Sequence, residues 1–365
     1  MSAAAARRRK QLAARQASAD PLADLWDESK PLDESEAYEK LQLVQSQVRK
    51  TQGADLAHRG CLALLRKGQW SVATSLMDLL LEVLAENMVD VTDLWIDRLL
   101  EVHTAALAVP VEALPNQEVL RLHRLQREWL RNAILWSSAT VKFGHAKLHE
   151  ALGHECWTLA SLPEVTAEDV AEWQADAVQH MMWAEQPQAI LAWLQTLPKP
   201  TETETKAGHT CPPGIRDQLL TRSVLLAVAM ENLRDANTLV RAYLDQIEER
   251  NTATLQTSYT SKDDGVSPSH ILFHCMLLRI CEKDVRTGPL FSWLLRSFQR
   301  ELSTMQPSPA PWLTKIGKVY FHIQPPPSML NMMENMMGMM GGGGGGINPA
   351  MMQAAMAQMQ AGGMM

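Results

Sequence analysis

Apolar residues recur along this chain at helical spacing, and turn-forming residues interrupt them every few turns. From Asp33, the positions Tyr38, Leu41, Leu43, Val44 and Val48 make an amphipathic stripe that ends near Thr51 and Gly53. A second stripe follows Ala54 with Leu56, Cys61, Leu62, Leu64 and Leu65, and stops at Gly68. A third starts at Trp70 and continues through Leu76, Leu79, Leu80, Val83 and Leu84; a fourth carries Leu94, Trp95, Leu99, Leu100 and Val102. Between the second and third, Gly68 closes a helix, Trp70 wedges the corner and the small Ala73 lets two helices approach. That is the chemistry of a two-helix repeat, but no strict sequence period follows it.

After a linker holding Pro110 and Pro115, a long helix is predicted to Trp136, with Leu130, Ile134 and Leu135 on one face. Ser137, Ser138 and Thr140 compete for backbone hydrogen bonds and stop it, and Gly144 permits the turn. Helical spacing resumes at Ala146, with Leu148, Ala151 and Leu152 on one side. The stretch Trp136 to Trp157 therefore reads as a helix-turn-helix corner. Thr166 with Asp169 resembles a capping box, and Pro187 sits in the first turn of the next helix. Further helices are predicted from Ile215, Asp235, His270, Pro289 and Trp312, with a short hairpin over 252–259.

These elements predict an all-α fold, an extended right-handed α-solenoid of antiparallel helix pairs with degenerate TPR-like repeats. The organisation expected is a disordered leader over 1–32 and an N-terminal half over 33–197. A Pro/Thr loop over 198–214, a C-terminal half over 215–324 and a low-complexity tail over 325–365 complete it. The tail holds most of the 21 methionines and six consecutive glycines, Gly341 to Gly346. Its composition is equally that of a flexible client-binding segment and of plain low complexity.

Charge narrows the function. With 34 Lys and Arg against 41 Asp and Glu, the formal net charge is −7, which argues against nucleic acid as the main partner. The basic run Arg7 to Lys10 reads as a nuclear address or a solvated arm. No run of apolar residues is long enough for a membrane span, and the five cysteines lack a disulfide framework spacing, so the expected location is the cytosol. Of the aromatic residues 11 are Trp, which suits anchors between packed helices.

Candidate chemistry is sparse. His154 and Cys156, two apart on a helix, point to different sides and do not chelate one ion; His209 and Cys211 lie in the proline loop without further ligands. His145 and His149 share a helix face but lack a third ligand. Cys211 has no oxyanion donor pattern beside it, and Gly341 to Gly346 is not followed by Lys and Ser or Thr. No enzyme, cofactor or metal site is expected.

Four patches carry a resemblance. They are Tyr38-Glu39 with Gln42; Leu80-Leu81-Glu82-Val83 followed by Val89-Asp90-Val91; the corner residues Trp136, Ser137, Phe143, Gly144, Leu148 and His149; and Ile316 to Phe321 before a proline run. In this order they resemble the Golgi-to-ER-traffic protein 4 family, which supplies scaffold subunits for delivery of tail-anchored membrane proteins. The resemblance implies a non-catalytic adaptor. Its N-terminal half would hold the targeting ATPase through Tyr38, Glu39, Gln42, Arg49, Lys50, Asp78 and Glu82. A second acidic family position falls on Ser75, with Asp78 close beyond it. The C-terminal half would clasp a ubiquitin-like partner through Ile316, Val319, Tyr320 and Phe321. A BAG-domain co-chaperone scaffold is the third partner that the resemblance implies. The competing expectation is a helical-repeat subunit of another complex.

Overall fold

The computed structural model describes residues 22–27, 29–108, 114–197, 215–246, 269–283, 285–303, 305 and 308–324. The basic run, the Pro/Thr loop with His209 and Cys211, the hairpin expected over 252–259 and the Met/Gly tail lie outside them. Among the described residues there are helices and no strands.

The N-terminal helices are α1 (Ala23–Trp26), α2 (Glu34–Thr51), α3 (Ala54–Arg66), α4 (Trp70–Glu86) and α5 (Asp93–Leu107). After them come α6 (Asn116–Ser137), α7 (Ala146–Ser161), α8 (Ala167–Trp183) and α9 (Pro187–Thr196). The chain continues with α10 (Ile215–Ala229), α11 (Leu233–Gln246), α12 (Ser269–Cys281), a 3-10 turn (Val285–Thr287), α13 (Gly288–Ser297), α14 (Gln299–Ser303) and α15 (Ala310–Phe321). Most helices pack on the next or the next but one, so the core is built pair by pair, as in a solenoid.

Local chemistry accounts for the boundaries. Asp33 caps α2 by accepting the Glu36 N–H at 2.7 Å, and Arg49 and Lys50 in its last turn oppose the helix dipole. Ala37, Leu41, Val44 and Val48 are its buried stripe. At the end of α3, Gly68 takes φ +74, its N–H donates to Leu65 O at 2.9 Å, and the Gln69 N–H donates to Leu64 O at 3.0 Å. Trp70 and Ala73 are buried immediately beyond, as the repeat reading requires. Gly60 marks the closest approach of α2, α3 and α4: a Cβ there would stand 2.7 Å from Leu76 Cδ2 and 3.1 Å from Val44 Cγ1.

The end of the leader is ordered. Leu22, Leu25 and Leu32 are buried, and the Lys67 ammonium donates to the carbonyls of Asp27 and Lys30. Gln69 Nε2 donates to Leu32 O at 2.9 Å, completing a strap over α3. The apolar core has two parts that meet inside α8: one extends from Leu22 to Ala177, the other from Val178 to Phe321. Trp157 and Trp193 border both, their rings stacked at 4.6 Å and 4°. The core thus divides before the Pro/Thr loop, in the middle of a continuous helix.

A buried polar spine links α5, α6 and α7. Glu155, 2% exposed, accepts from His123 Nδ1 at 2.7 Å, and His103 Nδ1 meets Gln126 Oε1 at 3.1 Å. Trp129 Nε1 donates to Met77 O at 3.0 Å, tying α6 to α4. Buried polar groups in such a position are tolerated because each finds a partner.

Candidate functional site

A groove of about 730 Å³ lies between the C-terminal halves of α4 and α6. Its lining is Leu81, Leu84, Met88, Val89, Val91, Leu135 and Trp136, with Asp78, Glu82 and Asp90 among them. Asp78 and Glu82 are one helical turn apart, so their carboxylates face the same side of α4. Neither is ion-paired among the described residues. Burial against the groove wall raises the Asp78 carboxyl above the ordinary carboxylate value. An apolar floor with unpaired acids is a surface that gains from a cationic, apolar partner.

Leu135 does not join Leu130 on the core face; it is 71% exposed and belongs to the groove, while Leu130 is buried and Ile134 half-buried. The helix ends two residues later, where side chains are free of the next turn. Exposed Met88, left-handed at φ +47, follows Asn87, whose Nδ2 donates to Gln52 O at 3.3 Å. That bond brings the C-terminal end of α2, with exposed Arg49 and Lys50, beside the C-terminal end of α4. Tyr38, Glu39 and Gln42 are exposed on the first half of α2, and Tyr38 lies roughly 18 Å along the helix from Lys50 at the usual rise. Arg49 and Lys50 thus lie beside the C-terminal end of α4, Asp78 and Glu82 lie further back along α4, and the Tyr38 patch lies toward the other end of α2.

The corner is fixed by hydrogen bonds that the sequence does not reveal. The His145 N–H donates to Ser137 Oγ at 3.0 Å, and Ser137 Oγ donates to Ile134 O at 2.9 Å. His149 Nε2 lies 2.7 Å from Phe143 O, and its Nδ1 lies 2.8 Å from Nδ1 of His180 on α8. Gly144 has φ +93, and a Cβ there would meet Ile134 Cγ2 at 2.7 Å. Trp136 and Leu148 are buried behind the turn. His145 caps α7, with Nδ1 accepting the Lys147 N–H at 3.3 Å, and its Nε2 lies 3.7 Å from Asp93 Oδ1.

At the C-terminal end, Ile316 and Phe321 are enclosed in the core, where the Phe321 ring stacks on Phe291 at 4.7 Å. Val319 and Tyr320 are half-buried, and the Tyr320 hydroxyl is buried with no hydrogen-bond partner among the described residues. In this structure the outward apolar surface comes instead from α13, with Leu290 at 53% and Trp293 at 49% exposure, beside Val285 and Ile323. Sequence reasoning passed over this face. Its signal was a helix apolar on two sides, since Phe291 and Leu294 already fill the inner one.

Among the described residues no group of three or more His, Cys, Asp or Glu is arranged to hold a metal ion. Burial pushes the Cys156 and Cys281 thiols up to about 12, so they behave as small core residues. No helix among the described residues is long and apolar enough to cross a membrane.

A solenoid of paired helices, with an acidic groove in its first half and an apolar helix face in its second, defines a docking scaffold. The family model for Golgi to ER traffic protein 4 matches residues 47–340, and the chain belongs to that family. The Tyr38 patch precedes the matched residues. Among solved structures, the crystal structure of C. therm. Get4 has the same fold, with a TM-score of 0.54 at 20% identity over 89% of this chain and 95% of that one. No curated protein sequence matches the chain.

Proposed function

We propose that this protein is a non-catalytic, cytosolic adaptor that holds a targeting ATPase on its N-terminal half and a ubiquitin-like protein on its C-terminal half. Family membership supports a role in tail-anchored protein targeting. The observation that carries the ATPase assignment is the groove beside Asp78 and Glu82, whose acids have no ion-pair partner among the described residues and whose floor is apolar. Unpaired charge steers and orients a partner, and the apolar floor supplies affinity.

For the ubiquitin-like protein we assign the exposed Leu290 and Trp293 face, buttressed from within by the Ile316 and Phe321 patch. A BAG-domain scaffold would join through the same half. Recovery of the full chain from cytosol in mild salt should bring with it an ATPase and a ubiquitin-like protein. Stable association with subunits of a different helical-repeat assembly, and with neither of these, would refute the assignment.

A further inference from the structure

Phe143 combines three properties rarely found together. Its backbone is left-handed at φ +73, the residue is 49% exposed, and two lysines, the adjacent Lys142 and the distant Lys315, converge on its ring. Lys142 Nζ lies 5.0 Å and Lys315 Nζ 5.5 Å from the ring centroid. Lys315 belongs to α15, and exposed Lys318 lies one turn further along it. None of the three lysines is paired with a carboxylate among the described residues, whereas nearby Lys147 is neutralised by Asp97 at 2.7 Å.

A bulky residue in the left-handed region is strained, and such strain persists only where the surroundings over-determine it. Here they do: Phe143 O is fixed by His149, and Gly144 is wedged against Ile134. The turn spends that rigidity on presenting an aromatic ring outward, flanked by cations. A rigid exposed aromatic between unpaired cations has the character of an interface hot spot rather than of a core residue.

We infer that Phe143, Lys142 and Lys315 form a docking point for an acidic segment of a partner protein, with an apolar side chain of that segment against the Phe143 ring and its carboxylates on the lysines. Charge decides the occupant: the site is cationic, whereas the groove beside Asp78 and Glu82 is anionic, so the two select different partners. The inference stands on the corner and the Lys315 side of α15, and is independent of the ATPase assignment.

The test uses the full chain and a fluorescein-labelled peptide, Asp-Glu-Asp-Leu-Trp-Asp-Glu-Asp, read by fluorescence polarisation, with its all-lysine counterpart as control. The acidic peptide should bind saturably and the basic one should not. Phe143→Gly and, separately, Lys142→Glu with Lys315→Glu should each weaken binding at least about tenfold, as loss of a hot spot does. Because glycine accepts φ +73 without strain, Phe143→Gly should keep or raise the melting temperature. Absence of binding by the wild-type chain, binding that survives both variants, or a marked fall in melting temperature for Phe143→Gly would each overturn the inference.

Discussion

His149 and His180 face each other through their Nδ1 atoms at 2.8 Å, and their geometry fixes both tautomers. His149 Nε2 carries the proton given to Phe143 O, so its Nδ1 is bare and accepts the Nδ1–H of His180. This bond joins α7 to α8 and holds only while His149 Nδ1, the acceptor, stays unprotonated. Trp183 packs against both rings at 5.0 and 5.1 Å and keeps water away.

That arrangement makes stability depend on pH. Burial, reinforced by the neighbouring His149, lowers His180 to about 3, and burial lowers His149 as well. In the unfolded chain both take up protons near the ordinary value of about 6.5. The contribution is whole above that pH and is lost as pH falls toward the folded values, by up to about 1.4 kcal/mol per pH unit for each group. Thermal melting from pH 7.5 to 4.5 should show this slope, and His180→Phe should flatten it. His58 and His103, also lowered mainly by burial, contribute equally in both proteins. Parallel slopes for the two proteins would contradict the account.

Gly144→Ala should destabilise the fold by at least about 2 kcal/mol, since the added methyl is both strained at φ +93 and placed 2.7 Å from Ile134 Cγ2. The midpoint of urea unfolding measures this. Gly68→Ala, strained at φ +74 but with open space around it, should cost less, about 1 kcal/mol.

Tyr320→Phe should leave stability unchanged or raise it by up to about 1 kcal/mol, because it removes a buried hydroxyl that has no partner among the described residues. The same burial pushes the Tyr320 phenol up to about 12, a direction that agrees with the missing partner. A loss of more than about 1 kcal/mol in urea unfolding would show that the hydroxyl is satisfied in solution.

The stripes that predicted this fold were legible because they are one-sided. Ala37, Leu41, Val44 and Val48 form a single buried stripe on α2, and Gly68 with Trp70 states the corner in three residues. Where helices are enclosed all round, the pattern vanishes: α10 buries Arg216, Thr221, Arg222 and Ser223 along with its apolar residues, and Thr221 Oγ meets His274 Nε2 at 3.0 Å across to α12. The strap was illegible for another reason. Leu22, Leu25 and Leu32 follow no period, and the Lys67 ammonium that clasps the Asp27 and Lys30 carbonyls comes from the far end of α3, just past Arg66.

The candidate site was half legible. A short motif reports that Ile316 and Phe321 belong together but not which way they point, and here they point inward. His180 carried no sign of its role, because its partner lies a helix away and their meeting depends on the pairing of α7 with α8. Glu82 was placed on the partner face by resemblance, and the structure sets it in a groove with Asp78.

Charge reversal at that groove tests the central claim most directly. Affinity of purified Glu82→Lys chain for the targeting ATPase and for the ubiquitin-like protein would be measured side by side by titration calorimetry. A loss of roughly tenfold or more toward the ATPase, with unchanged affinity for the ubiquitin-like protein, is the predicted result. ATPase affinity equal to that of the wild type, in a chain that still holds the ubiquitin-like protein, would contradict it.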